Sequence, residues 1–169
     1  MAVRIIITGG TFDKEYDAIR GELTFTDTHL PEILRRVRCT VPREIEINQL
    51  VDSLEMTEHN RRAILDASRA AAEDSIVVTH GTDTMVETAR LLGQSGLAKT
   101  IVLTGAMVPY TMADTDAVFN LGSAITAAQL LPAGVYLAMN GRIFSWDKVR
   151  KNREQGIFEA EKEEEKQDT

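Results

Sequence analysis

Two short clusters of hydroxyl side chains in this sequence have the composition of a nucleophilic site. The stretch "TGGT" occupies residues 8–11 directly after the apolar run 5–7, and "THGTDT" occupies residues 79–84 directly after the run 76–78. The second cluster also contains the carboxylate of Asp83. A turn that merely ends a strand needs neither several hydroxyls nor an acid. A threonine hydroxyl is a weak nucleophile, so nucleophilic chemistry at these clusters requires a neighbouring base or polarising group.

Histidine is the usual base for such a nucleophile, but the three histidines fit this role badly. His29 precedes a predicted helix and His59 lies in the first turn of another, and we interpret both as solvated or structural. His80 points from a strand end away from its neighbours and is interpreted as part of a pocket floor. A threonine nucleophile would therefore depend on lysine or tyrosine. Tyr16 follows Thr11 by five residues and can lie on a loop folded over the site, with a surface aromatic as the alternative.

The usual signatures of several other kinds of site are missing. No GxGxxG follows the first apolar run and no GxxxxGK[ST] occurs, which argues against nucleotide binding. No histidines are spaced as HExxH or HxH, so we predict no metal and no other cofactor. The absence of GxSxG argues against an ordinary α/β-hydrolase. Glycines 9, 10, 81 and 105 leave backbone N–H groups uncovered, which favours binding of a carboxylate or an oxyanion.

Five apolar segments separated by helical patterns predict the elements that must position these clusters. Four of the segments are nearly continuous in Val, Ile, Leu or Met, as is typical of strands covered on both faces. The segment 44–50 alternates apolar and polar residues, which predicts an edge strand or one with a wet face. Strands joined by single helices form βαβ units. The predicted fold class is therefore α/β, with three layers and an open, mainly parallel sheet of the flavodoxin or Rossmann-like kind. The predicted strands are 3–7, 44–50, 75–79, 100–104 and 134–139.

Helical spacing of apolar side chains fills most of the gaps between these strands. A short hairpin is also expected around residues 21–25. The predicted helices are 30–37 with Asp27 and Thr28 as caps, 57–72 beginning at Thr57, 82–93 ended by Gly93, and a stripe of Val118, Leu121 and Ile125 closed by Pro132.

Polar residues follow four of the predicted strands at their carboxyl ends. Ligands of open α/β sheets bind outside these ends, so we expect the polar residues to converge on one rim. The alternative interpretation is that glycine and threonine simply form tight turns there. The predicted binding residues are Gly10, Asp52, Ser53, Gly81, Thr82, Asp83 and Ala106.

Length, charge and cysteine content restrict the class of protein. The 169 residues predict one α/β domain over 1–158, followed by an acidic tail at 159–169 that is expected to be disordered or a frayed helix. A net charge of −7 without a basic stripe argues against nucleic acid as a partner. No apolar run is long enough to cross a membrane. The single cysteine, Cys39, is predicted to be a buried thiol, which suits a cytoplasmic location.

Taken in order, "TGGT", "THGTDTM" and "VLTGAMVP" resemble the bacterial-type L-asparaginase family, which includes asparaginase/glutaminases. The resemblance extends from residue 3 to about 152. It implies that Thr11 is the nucleophile and that Tyr16 activates it from a flexible loop. It further implies a proton relay of Thr82, Lys151 and Asp83. Ser53 would hold the substrate α-carboxylate and Asp83 the α-ammonium.

The reaction implied by the resemblance is hydrolysis of L-asparagine to L-aspartate and ammonia through an acyl-enzyme, in a cytoplasmic homo-oligomer. Backbone N–H groups near Gly10 and Thr82 would stabilise the oxyanion. This sequence departs from the pattern of the family in two respects. Family members commonly have a second, C-terminal domain that supplies an acid to a neighbouring subunit, whereas this sequence predicts a single-domain short form. Leu54 also stands where long members often have glutamine. The alternatives are hydrolysis of glutamine or another small amide, and a non-catalytic amino-acid-binding module.

Overall fold

A computed structural model describes residues 1–161, which form ten β-strands and four α-helices. Two single turns of 3-10 helix, Thr11–Asp13 and Ser53–Glu55, follow strands β1 and β4. The strands are β1 Val3–Gly9, β2 Glu15–Asp17, β3 Glu22–Thr24, β4 Arg43–Val51, β5 Ser75–Thr79, β6 Thr100–Thr104, β7 Gly134–Met139, β8 Arg142–Ser145, β9 Val149–Asn152 and β10 Ile157–Ala160. The helices are α1 Leu30–Arg36, α2 Glu58–Ala70, α3 Met85–Gln94 and α4 Ala117–Leu130.

A six-stranded sheet in the order β4-β1-β5-β6-β7-β8 forms the centre of the fold. The first five strands are parallel, and β8 pairs antiparallel with β7. This arrangement confirms the predicted α/β fold with a mainly parallel sheet, and β4 is an edge strand as its alternating sequence predicts. The chain leaves β1 toward the β4 edge and then returns to the other side of β1 with β5. Ligand sites of such sheets lie at this reversal of strand order, directly beyond β1 and β5.

Helices cover both faces of the sheet because neighbouring strand residues point to opposite sides. Ile5 and Ile7 of β1 pack in the cluster that includes α1 and α4, whereas Ile6 packs in the cluster that includes α2 and α3. All three isoleucines are fully buried. The two faces therefore carry separate apolar cores, which hold the strand ends in fixed positions.

Short strands and one helix end differ from the predictions. The hairpin expected around 21–25 is formed by β2 and β3, and β8, β9 and β10 were not predicted. Gly93 lies within α3 and does not end it. Glycine is needed at this position because a Cβ there would lie 2.2 Å from the Trp146 ring. His29, rather than Asp27 or Thr28, is the N-cap of α1, although the Thr28 hydroxyl accepts a bond from the Leu30 N–H.

The first two residues of the acidic tail predicted at 159–169 belong to a strand. Glu159 and Ala160 end β10, where they pair with Arg150 and Val149 of β9, and Glu159 also forms an ion pair with Arg150. Residues 162–169 of the predicted tail lie outside the described residues. Cys39 is half-buried rather than buried and packs against the core on the α1 and α4 face.

Helix α4 is apolar around much of its circumference. It buries alanines and Leu121 against the sheet, yet it also exposes Phe119 and Leu130. Ile143 of β8 is exposed beside this surface and contributes to an apolar groove with Phe119 and Leu130. None of the helices within residues 1–161 combines the length and the apolar character needed to span a membrane.

Candidate active site

The loops after β1 and β5 are in direct contact at the carboxyl rim of the sheet. A Cβ on Gly10 would lie 2.3 Å from the Gly81 nitrogen and 2.4 Å from the Gly81 Cα. Gly10 also has a φ of 82°, a conformation that favours glycine. Only glycine at position 10 permits this approach, which brings the segment carrying Thr11 beside the segment carrying Thr82.

Replacing Gly10 with alanine is expected to lower the free energy of unfolding by roughly 2–4 kcal/mol, because the methyl group must displace backbone atoms of Gly81. Urea unfolding of the purified variant measures this loss. Gly21→Ala is the matched control, since Gly21 has a φ of 70° and a Cβ added there would meet no heavy atom within 4 Å. That variant should lose only about 1 kcal/mol from backbone strain. Equal losses in the two variants would contradict the crowding argument.

Lys151 joins the two polar side chains that follow β5. Its Nζ lies 2.9 Å from Thr82 Oγ1 and 2.8 Å from Asp83 Oδ1. The Lys151 side chain is only 11% exposed. Strand β9 holds it there because Val149 of that strand and Phe158 of β10 are buried in the core. A threonine hydroxyl, an amine and a carboxylate in mutual contact can pass a proton between them.

Arg153 is a site residue that the sequence reasoning missed. Its Nη1 lies 2.9 Å from Asp83 Oδ1, and its Nη2 lies 2.9 Å from the Asp83 carbonyl oxygen. Lys151 lies in β9 and Arg153 directly follows the strand, and both side chains reach Asp83. The basic stretch "KVRKNR" at residues 148–153 was the available signal, but its meaning depends on knowing that 149–152 is a strand.

The loop after β4 brings Ser53 against the same rim. Ser53 is buried, and a Cβ on Gly81 would lie 2.5 Å from its Oγ. The Thr84 hydroxyl donates to the Ser53 carbonyl at 2.7 Å. These contacts place the Ser53 hydroxyl beside Gly81, the residue directly before Thr82. Leu54 points away from this packing and is exposed.

Asp52 caps the turn that carries Ser53 and forms an ion pair with Lys14. One carboxylate oxygen of Asp52 accepts from the Leu54 N–H at 2.9 Å, and the other contacts the Lys14 Nζ. Partial burial opposes the charge on Asp52, but the bonds from Lys14 and Leu54 prevail and lower the pKa of this carboxyl. Lys14 was not predicted as a site residue. It ties the loop that follows Thr11 to the loop of Ser53.

Thr11 and Tyr16 lie on neighbouring elements of the chain, the first 3-10 turn and β2. Thr11 begins the first 3-10 turn and is partly exposed. Tyr16 lies on β2 of the short hairpin rather than on a loop, and it is 61% exposed. Within residues 1–161, neither side chain forms a hydrogen bond. The structure thus brings Thr82, Asp83 and Lys151 into a hydrogen-bonded group that does not include Tyr16.

Comparison with known proteins identifies the family. Residues 2–164 match the family model described as "Asparaginase, N-terminal". The chain belongs to the asparaginase family.

Relatives and solved structures from this asparaginase family match nearly the whole chain. The thermostable L-asparaginase from Thermococcus kodakarensis superposes with a TM-score of 0.82 at 28% identity, over 95% of this chain and 51% of that chain. L-asparaginase 1 of Escherichia coli K12 is 28% identical over 92% of this chain and 49% of its own length. The glutaminase-asparaginase of Pseudomonas aeruginosa is 30% identical over 85% of this chain and 43% of its own length. The chain thus spans about half, or less, of these relatives.

His80 of this asparaginase-family chain is a buried structural group. Its Nδ1 lies 2.7 Å from the Gly81 carbonyl oxygen, and its Nε2 lies 2.8 Å from the Thr88 hydroxyl. Complete burial lowers the pKa of His80 from 6.5 to about 4, despite the bond to Gly81. The neutral ring then donates from Nδ1 to Gly81 and accepts from Thr88 at Nε2. Both nitrogens are occupied, so His80 supports the loop and does not act as the base.

The lowered pKa of His80 makes the stability of the fold depend on pH. The unfolded chain binds a proton at this histidine below about pH 6.5, whereas the folded chain binds it only near pH 4. The stabilisation is therefore complete above pH 6.5 and falls as the pH is lowered toward 4. We expect roughly 2 kcal/mol of unfolding free energy to be lost between pH 7 and pH 5. Urea unfolding at both values measures it, and a His80→Gln variant that loses as much as wild type would contradict the assignment.

The loop containing Ala106 is fixed by residues at the start of α4. Ala106 is buried, and the Asp116 carboxylate accepts from the Met107 N–H at 2.9 Å. The Asn120 amide donates to the Gly105 carbonyl at 2.9 Å. Burial opposes the charge on Asp116, but the N–H groups of Val108 and Met107 lower the pKa of its carboxyl. Asp116 and Asn120 are positioning residues that the sequence reasoning did not identify.

Donor groups suited to metal binding are scarce at this rim. Asp52 and Asp83, the carboxylates of the candidate site, are each paired with a cationic side chain. Over the residues that the structure describes, no three His, Cys, Asp or Glu side chains come together as metal ligands.

Proposed function

We propose that this chain is an amidohydrolase that converts L-asparagine to L-aspartate and ammonia, with Thr11 as the nucleophile. The observation that carries the proposal is the contact of Lys151 Nζ with both Thr82 Oγ1 and Asp83 Oδ1, at 2.9 and 2.8 Å. This network supplies a proton acceptor at the rim where His80 cannot serve as one. Membership of the asparaginase family supports the same class of reaction.

The proposed reaction proceeds through an ester of Thr11. The Thr11 hydroxyl oxygen bonds to the side-chain amide carbon, and its proton passes by way of Thr82 and Lys151 to the Asp83 carboxylate. The proton is then delivered to the departing nitrogen, so that ammonia leaves and the acyl-enzyme remains. Water adds to the ester carbon, the carboxylic acid is released and Thr11 regains its proton. Tyr16, five residues after Thr11, would assist the removal of the Thr11 proton.

The other predicted residues serve as binding groups in this proposal. Backbone N–H groups near Gly10 and Thr82 stabilise the oxyanion, an effect worth roughly 3–4 kcal/mol for each donor. We assign the substrate α-carboxylate to the buried Ser53 hydroxyl because it lies beside Gly81. Asp83 would receive the α-ammonium. Asp52 and Ala106 shape the loops on either side of this pocket.

Ammonia release from millimolar L-asparagine and L-glutamine by the purified protein tests the proposal. Release from L-asparagine supports it. Release from L-glutamine alone would favour the second candidate function, hydrolysis of glutamine or another small amide. The name of the Pseudomonas aeruginosa relative, "Glutaminase-asparaginase", is the reason for considering it. Calorimetric binding of the amino acids without any release would instead indicate the non-catalytic amino-acid-binding module.

The proposal includes a cytoplasmic location and self-association. The match to the structure of a probable cytoplasmic L-asparaginase from Campylobacter jejuni, at a TM-score of 0.79 and 27% identity, supports the location. The exposed apolar side chains of Phe119, Leu130 and Ile143 support an interface between copies of the chain. Light scattering at micromolar concentration that gives the mass of a monomer would reject self-association.

A further inference from the structure

The carboxylate of Asp83 is shared by two cationic side chains. Its Oδ1 lies 2.8 Å from Lys151 Nζ and 2.9 Å from Arg153 Nη1. Arg153 additionally bonds the Asp83 carbonyl oxygen at 2.9 Å. The guanidinium thus holds both the side chain and the backbone of Asp83, while Arg153 itself remains 59% exposed. A cation that binds the Asp83 carboxylate therefore lies close to the Arg153 guanidinium.

The local charge around Asp83 is positive. Lys151 and Arg153 provide two positive charges against the single negative charge of Asp83. A cavity of about 170 Å³ beside them is also lined by Glu87, Arg90 and Arg150. These three are already paired: Glu87 with Arg61 at 2.8 Å, Arg90 with Glu161 at 2.9 Å, and Arg150 with Glu159 at 2.6 Å. They therefore leave the excess positive charge at Asp83 unchanged.

The second carboxylate of the candidate site, Asp52, also has a cationic partner. Asp52 forms its ion pair with Lys14, whose side chain is largely buried. A substrate α-ammonium needs a carboxylate partner when it leaves water, because an unpaired cation is costly to desolvate. At Asp83 it would have to displace the Arg153 guanidinium or lie beside it, and like charges at close range repel.

We propose that Arg153 is a specificity-determining residue that disfavours an α-ammonium group. The favoured substrates are then monoamides of short dicarboxylic acids without an amino group, such as succinamate, relative to L-asparagine. This inference rests on the proposed function for the placement of the ligand at Asp83. Arg153 acts on ligand choice through charge, and it takes no part in the bond-making steps.

Equilibrium binding of two unreactive diacids tests the inference. L-Aspartate and succinate differ only in the α-ammonium, and calorimetry gives the dissociation constant of each. Wild type is expected to bind succinate more tightly than L-aspartate. In Arg153→Gln the affinity for L-aspartate relative to succinate should rise about tenfold, as expected when a like charge is removed at close range. Arg153→Lys, which retains the charge, should stay near the wild-type ratio.

Arg150→Gln is the matched control, because Arg150 lies on the same hairpin, is 58% exposed and pairs with Glu159 instead of Asp83. Its ratio of affinities should equal that of wild type. An unchanged ratio in Arg153→Gln, or an equal change in both variants, would overturn the inference. Failure of wild type to bind either diacid would reject it as well.

Ammonia release from L-asparagine and succinamate, measured separately, distinguishes the two proposals. A shifted binding ratio without ammonia from either amide would leave the role of Arg153 standing and reject the proposed hydrolysis. Ammonia from L-asparagine with an unchanged binding ratio would support the proposed hydrolysis and reject the role of Arg153.

Discussion

Thr11→Val is expected to lower the rate of ammonia release from L-asparagine by at least about a thousandfold, because it removes the attacking oxygen and nearly preserves the volume of the side chain. Thr11 begins the 3-10 turn after β1 and forms no side-chain hydrogen bond within residues 1–161. The variant should therefore fold like wild type and keep its unfolding midpoint in urea. Steady-state assays at several substrate concentrations would show the loss in kcat.

Thr126→Val is the control for this experiment, since Thr126 is exposed on α4, outside the site. It should retain the wild-type rate. If Thr11→Val retains most of the activity, the nucleophile lies elsewhere, and Thr82 becomes the first alternative because it already contacts Lys151. Mass spectrometry with an electrophilic asparagine analogue would then locate the labelled residue.

Replacing Lys151 with methionine is the second change with a large expected effect. Methionine retains much of the apolar length of the side chain but removes the amine that contacts Thr82 and Asp83. A positioned acid–base group typically contributes a factor of about 10² to 10⁴, and we expect a loss of kcat in that range. The loss should be smaller at high pH if hydroxide accepts the proton that otherwise passes through Lys151, which a pH profile of kcat would show.

A double variant separates a proton relay from two independent contributions. Thr82→Val should also slow the reaction, and Thr82→Val combined with Lys151→Met should cost less than the product of the two single effects. Arg150→Met controls for loss of a cationic side chain from β9 and should leave kcat nearly unchanged. Full multiplicativity of the two single effects would mean that Thr82 and Lys151 do not act as a unit.

The part of the site that lies on long elements could be predicted from the sequence. Ile5 to Ile7 and Ile76 to Val78 are continuous apolar runs, which identify buried parallel strands without knowledge of the fold. Residues that directly follow such strands, such as Gly10, Thr82 and Asp83, must then lie at one rim. Their mutual contacts follow from topology, since β1 and β5 are neighbours in the sheet.

The part on short elements could not be predicted in the same way. Strands β8, β9 and β10 have four residues each, too few for a periodic pattern to be distinguished from a loop. Arg153 follows β9, and Lys14 precedes the three-residue strand β2, so neither had a structural context. Both were missed although each pairs with an acid of the site. Gly93 was interpreted as a helix end because its real reason, the ring of Trp146, comes from a distant segment.

The β9–β10 hairpin forms a sheet of its own, separate from the six central strands. Its attachment to the rest of the molecule depends largely on Val149 and Phe158, two side chains buried in the core layer that includes α2 and α3. The amine and the guanidinium that meet Asp83 are thus placed by apolar packing and not by the hydrogen-bonded ladder that places the threonines. Thr82 and Asp83 are therefore held by the central sheet, whereas their cationic partners are held by a separate hairpin, so the site depends on the packing between the two.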